Sequence, residues 1–276
     1  MFDSLERRRL FAAGAAIAAD GAFFVEGSFK NDRVAIFQSD DGETLFAKVN
    51  GVTHRAARAG VTKIVVDSKR GDDVVEILSA VGGVIDLPIT VWTHAGNDTI
   101  AGGDGPERLN AGDDDDVVHG GNGRDTIYGG PGPGADLLRG GGGSDLIDGE
   151  DGPDTLRGDA GNDNLSGGAN ADHVRGSAGN DALRGGGGND YLAGDDGDDQ
   201  LFGDAGIDYL DGGAGRDFLR GGAGHDALLV NDSDPDDFDM TEASAGETID
   251  AIAMQAAQSR AFVGAAAAAL WAKIIF

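Results

Sequence analysis

Cysteine is absent from this 276-residue chain. Disulfides and thiolate metal centres are therefore excluded, which leaves apolar packing, hydrogen bonds or an oxygen-ligated metal to hold the fold. Basic residues are scarce, 21 against 49 acidic ones, and the formal charge of −28 leaves no basic patch for nucleic acid or anionic lipid. Long apolar runs are missing too. The C-terminal stretch "AFVGAAAAALWAKIIF" has sixteen residues and is interrupted by Lys273, too short and too broken for a membrane span. Catalytic motifs are equally lacking: the five histidines form no HExxH, no serine sits in GxSxG, and there is no thiol nucleophile.

What the chain does contain is glycine, 49 residues of it, and carboxylate, and both are unevenly spread. Residues 1–92 carry 13 acidic and 11 basic side chains, residues 93–229 carry 28 and eight, and residues 230–276 carry eight and two. The middle holds no lysine at all. Composition alone would fit a disordered acidic linker. Periodicity argues against it.

The period is nine. Fifteen units start at Thr93, Gly102, Ala111, Gly120, Gly129, Gly140, Gly149, Gly158, Gly167, Gly176, Gly185, Gly194, Gly203, Gly212 and Gly221. Their sixth residues are Asp98, Glu107, Asp116, Asp125, Asp136, Asp145, Asp154, Asp163, Asp172, Asp181, Asp190, Asp199, Asp208, Asp217 and Asp226. Two places further on stands a branched aliphatic residue in every unit, from Ile100 to Leu228. A linker has no reason to keep that register.

Each unit reads GGxGxDxUx, with U a large aliphatic. Glycines at the first, second and fourth positions permit positive φ, so the turn can aim its carbonyls inward as an oxygen cage. The sixth-position carboxylate adds charge, and Ca²⁺ takes six to eight oxygens at about 2.3–2.6 Å where Mg²⁺ is smaller and sheds water poorly. The fourteen aspartates above are the candidate metal ligands, and multiple Ca²⁺ ions are the expected cofactor. Positions seven to nine then form a three-residue strand with its middle side chain inward. Stacked units align those side chains into a core that one unit could not bury alone.

This pattern resembles the RTX, or hemolysin-type, family of calcium-binding nonapeptide repeats. The resemblance covers about half the chain and implies an all-β fold, a right-handed parallel β-roll (β-helix) solenoid, with two units per turn and each ion between the loops of units n and n+2 on one edge. It also implies secretion, commonly by a type I channel. Some units depart from the pattern: "GGPGPGADLLR" has two extra residues, Glu107 replaces Asp, Asp114 and Asn170 take the fourth position, and the first unit opens with "TH". Weaker sites are expected there.

Flanking segments complete the organisation. Residues 1–20 read as an export leader, with "ERRRL" before the ten-residue apolar run "LFAAGAAIAA" and "RRLF" similar to a twin-arginine pattern. Residues 21–92 read as a small N-terminal β cap or irregular β-helix with strands in "AFFVEGSF", "RVAIFQ", "TLFAKVNGVTHRA" and "VTKIVVD" and a hairpin turn at Asn50-Gly51. Within it, "SKRGDDVVE" places Gly71, Asp73 and Val75 at repeat spacing, either as a partial calcium turn or as an ordinary one. Residues 93–229 are the β-roll. In 230–276, "SAGE" is a capping box before a helical cap or secretion segment.

About ninety residues before the repeats leave little room for a catalytic domain, so no enzyme activity is expected. The favoured function is a secreted or surface-exposed calcium-binding repeat protein that folds on binding calcium. The alternatives are a calcium-dependent structural or adhesive surface protein, with Tyr191, Tyr209 and Phe218 as a strip toward cell-surface polysaccharide, or an accessory module of a hydrolase or toxin. Polysaccharide and the secretion machinery are the expected partners besides calcium.

Overall fold

The computed structural model describes residues 14–78, 83–229 and 240–242. All regular structure among them is β, in two twelve-stranded sheets. The N-terminal strands are β1 (Gly14–Ile17), β2 (Ala22–Glu26), β3 (Arg33–Gln38), β4 (Thr44–Val49), β5 (Val52–Ala57), β6 (Lys63–Asp67), β7 (Val74–Ile77) and β8 (Ile89–Ala95). One sheet runs β1-β2-β6-β8 and continues with every second repeat strand. The other takes the alternate repeat strands and ends in β7-β3-β4-β5. Pairing between repeat strands is parallel, and residues eighteen apart lie side by side, as in Thr155 with His173 and Leu183 with Leu201. Two nonapeptides therefore make one turn, as the repeat implies.

Repeat strands are longer than the three residues expected. Ala182–Gly187 covers positions seven to nine and the first three positions of the next unit, and six residues is the usual length. The reason is that parallel hydrogen bonding continues into the turn, where Gly186 pairs with Gly168. Along each strand the eighth-position side chain faces inward. All fifteen of these aliphatic residues are buried, Leu228 at 6% being the most exposed. Flanking side chains at positions seven and nine mostly face out, so a typical unit contributes one core residue, with Ala111 and Ala193 as additional buried residues.

The N-terminal strands continue the stack. β2, β6 and β8 run parallel in the first sheet and β3 and β7 in the second, with only β1 and the β3-β4-β5 meander antiparallel. Asn50 and Gly51 both take positive φ, 49° and 85°, between Val49 and Val52, which is the two-residue hairpin their sequence predicts. The leader expected over 1–20 lies outside the described residues up to 13, and Gly14–Ile17 is strand β1 against β2.

Of the segment expected over 230–276 only Met240–Glu242 is described, and it is a strand parallel to Phe218–Arg220, ahead of the expected helix. Backbone groups left open on that last repeat strand pair with it, which extends the first sheet by one rung. The rest of that segment, including the capping box, lies outside the described residues.

Candidate metal centre along the two edges

The sixth-position residue is where the turn meets the strand, and its backbone is used in both directions. Its carbonyl accepts the N–H of the seventh-position residue two units on, as Asp154 does from His173 at 2.8 Å. Its own N–H donates to a carboxylate oxygen, Oδ1, of the sixth-position aspartate two units on. Asp98 donates to Asp116 at 2.7 Å, Asp154 to Asp172 at 2.8 Å and Asp208 to Asp226 at 2.9 Å. These bonds string the candidate ligands into two files. One holds Asp98, Asp116, Asp136, Asp154, Asp172, Asp190, Asp208 and Asp226; the other holds Glu107, Asp125, Asp145, Asp163, Asp181, Asp199 and Asp217. All fifteen are buried.

With Oδ1 engaged, Oδ2 is the chemically open atom. In Asp98, Asp116, Asp125, Asp145, Asp154, Asp163, Asp172, Asp181, Asp190, Asp199, Asp208 and Asp226 it is buried and has no hydrogen-bond partner. A buried anion left in that state is costly, so something outside the chain must satisfy it. Carbonyls converge on the same region. Outside the Glu107 turn, and apart from Gly132 and Gly134 in the inserted one, the second and fourth positions take positive φ, and the Gly121 and Gly123 carbonyls come so close to Gly141 and Gly143 in the next turn of the edge that a Cβ there would collide.

The first-position glycine has a different reason from the one its sequence suggests. Its φ is ordinary, but a Cβ on Gly120 would stand 2.5 Å from its own unit's Asp125 Oδ2 and 2.5 Å from the Gly140 carbonyl. Close approach, not φ, demands glycine there.

Electrostatics follow from burial. Desolvation pushes Asp116 up to about 8, and Asp98, Asp154, Asp163, Asp172 and Asp199 up to about 7. Asp136 and Asp208 are pushed up to about 6 by the same cause, and Asp145, Asp181 and Asp190 rise as well. The donated backbone N–H opposes the shift in each case, and neighbouring carboxylates add to it in most.

The departures sort into tolerated and not. Asp114 and Asn170 adopt left-handed φ of 79° and 78°, as short polar side chains can. His94 and Gly96 do likewise, so the "TH" turn has the ordinary shape. The two-residue insertion lengthens the ladder spacing, with Asp116 donating to Asp136 and Asp125 to Asp145 across twenty residues instead of eighteen. The Glu107 turn is different. Neither Gly103 nor Gly105 is left-handed, and the longer Glu107 side chain reaches back so that Oε2 accepts the Gly103 N–H at 3.2 Å.

Sequence reasoning missed the second position. Glu150, Asp159, Ser177, Asp195 and Asp204 stand there at positive φ in place of glycine. Asp159 pairs with Arg139 and with Arg157 of its own strand, Asp195 with Arg175 and Asp204 with Arg184, so ninth-position arginines, all but Arg157 on the neighbouring strand, hold these carboxylates outward. An Arg at position nine with an Asp at position two on the next strand of the sheet, twenty residues on, was the available signal.

Among the described residues, no three His, Cys, Asp or Glu side chains cluster as a metal site. A centre here is therefore built from one carboxylate per turn together with backbone carbonyls, an all-oxygen set that suits a hard cation. Overlapping matches to the RTX calcium-binding nonapeptide repeat family cover residues 90–106, 101–133, 131–165, 157–192, 166–201 and 193–228, which is half the chain. The chain belongs to this family. The curated proteins give no match. RTX repeats are calcium-binding, and the open Oδ2 atoms and crowded carbonyls of this chain fit that ion: the fourteen sixth-position aspartates are the side chains that would hold it.

Proposed function

We propose that the protein is a secreted, non-catalytic calcium-binding repeat protein whose β-roll folds as calcium binds. One observation carries the reading: buried Oδ2 atoms without partners recur along both edges. Bound calcium supplies the positive charge that these carboxylates lack. The chain's part is to order two turns of an edge around it, with the Oδ1 ladder setting their spacing and the aliphatic file closing behind. Extracellular calcium, about millimolar, would be the trigger, so a chain exported unfolded would fold only outside. Circular dichroism during a calcium titration tests this. Sheet signal should rise cooperatively from a weakly structured state in chelator, and equal Mg²⁺ should not replace calcium; identical spectra in chelator and in calcium would refute it.

A second reading, a calcium-dependent adhesive surface, has one observation in its favour. His173, Tyr191 and Tyr209 stack along one sheet with ring centroids 5.6 and 5.0 Å apart, and Arg175 stands on the His173 strand. Phe218 is not part of that strip; it lies on the other sheet, tilted against Phe202. Retention of the folded protein on immobilised polysaccharide, lost when Tyr191 and Tyr209 become Ala, would support this role.

A further inference from the structure

The family match begins at residue 90, yet the turn before it on the same edge has repeat geometry. Lys69 and Gly71 stand at its second and fourth positions with φ of 84° and 122°, against 78° and 122° for His94 and Gly96. Gly71 N–H donates to the Ala95 carbonyl at 2.8 Å, the bond that Gly143 makes to Ala160 at 2.7 Å. Asp73 N–H donates to Asp98 Oδ1 at 2.6 Å, and Val75 pairs with Ile100 in the aliphatic file. The Gly71 carbonyl crowds Gly96 as the Gly123 carbonyl crowds Gly143. Asp73 is 1% exposed and its Oδ2 has no hydrogen-bond partner. Ser68 Oγ stands beside that carboxylate and favours its charged form, but without the geometry of a full hydrogen bond.

The next rung outward differs. Asp32 N–H donates to Asp73 Oδ1 at 2.7 Å and Val34 pairs with Val75, so the ladder goes on. But the Asp32 carboxylate is filled by protein donors: the Ser28 N–H at 2.5 Å, the Ser28 hydroxyl at 3.0 Å and the Asn50 side-chain amide. Neither Ser28 nor Lys30 takes positive φ.

We propose that the Ser68–Asp73 and Thr93–Asp98 turns hold a calcium ion between them, reaching beyond the family match. The Asp73 and Asp98 carboxylates and the Gly71 carbonyl are among its ligands, and the Asp32 turn ends the edge with Ser28 and Asn50 in place of an ion. This rests on the calcium reading of the repeats. Lys69 does not oppose it, because its ammonium is engaged by Asp67 and Glu26 at 2.6 and 3.0 Å.

Calcium anomalous scattering from crystals of the full chain grown in calcium tests it directly. A peak between these two turns is expected. Peaks in the repeats with none here overturn this site alone, whereas no peak anywhere overturns the calcium reading on which it rests. Native mass spectrometry at saturating calcium is the solution counterpart: Asp73→Asn should carry one ion fewer than the parent, and Asp32→Asn the same number as the parent. An unchanged count in Asp73→Asn also overturns the site; should that variant lose its sheet structure, the anomalous measurement on the parent decides.

Discussion

The N-terminal strands and the repeats share one ladder and one core but stabilise it differently. Up to β6, most strands bury two or three apolar side chains, such as Phe23 and Val25, Val34 and Ile36, or Leu45, Ala47 and Val49. A typical repeat strand buries a single branched aliphatic and fills the rest of its inner face with glycine. At the edges the contrast is the same: Asp32 is satisfied by Ser28 and Asn50, while the repeat aspartates keep an open oxygen. One apolar side chain per nine ordered residues recovers little of the backbone entropy. A turn can be closed by side chains written into the sequence or by an ion from solution, and the repeats rely on the ion.

Cutting the aliphatic file should do most damage where it is thinnest. Ile147→Ala, fully buried within the repeats, should lose about 2–5 kcal/mol in denaturant unfolding at saturating calcium. Removing a carboxylate should act through calcium instead. Asp145→Ala should raise the calcium midpoint for folding about tenfold, the equivalent of about 1.4 kcal/mol. Glu107→Ala should move it far less, because that turn lacks left-handed geometry and closes on its own side chain. A larger shift from Glu107 than from Asp145 would contradict the site assignment.

How much of this was legible in the sequence depends on the residue. Position eight announced itself because a branched aliphatic in a nine-residue register has no other cause, and position six because every unit carries a carboxylate there. Asp73 was half-visible: Gly71 and Val75 keep the spacing, but Lys69 at the second position hides a left-handed turn that only coordinates reveal. Asp32 was invisible, since the donors that close its turn include Asn50, eighteen residues away. The Glu107 turn was marked by its one extra methylene, though not the hydrogen bond to Gly103 that results.

Acid should partly substitute for calcium in the repeats. Folded-state burial raises these carboxylates, Asp98 and Asp154 to about 7 from an ordinary 3.8, so without the ion the folded state binds more protons than the unfolded one. Stability from this source is full below about pH 4 and is lost as pH climbs toward 7. In chelator, sheet content measured by circular dichroism should therefore increase from pH 8 to pH 4. No increase, or a fall, would contradict the assigned shifts. The smallest effect is expected at the surface. Asp159→Ala removes two half-exposed arginine pairs and should cost under about 1 kcal/mol, screened further by salt.

Amide hydrogen exchange read by mass spectrometry, segment by segment with and without calcium, tests the central contrast most directly. In chelator, protection should collapse across residues 99–229 and survive best in 22–67, and calcium should restore the repeats together. Equal protection of both regions in chelator, or repeats that stay protected without the ion, would contradict the account.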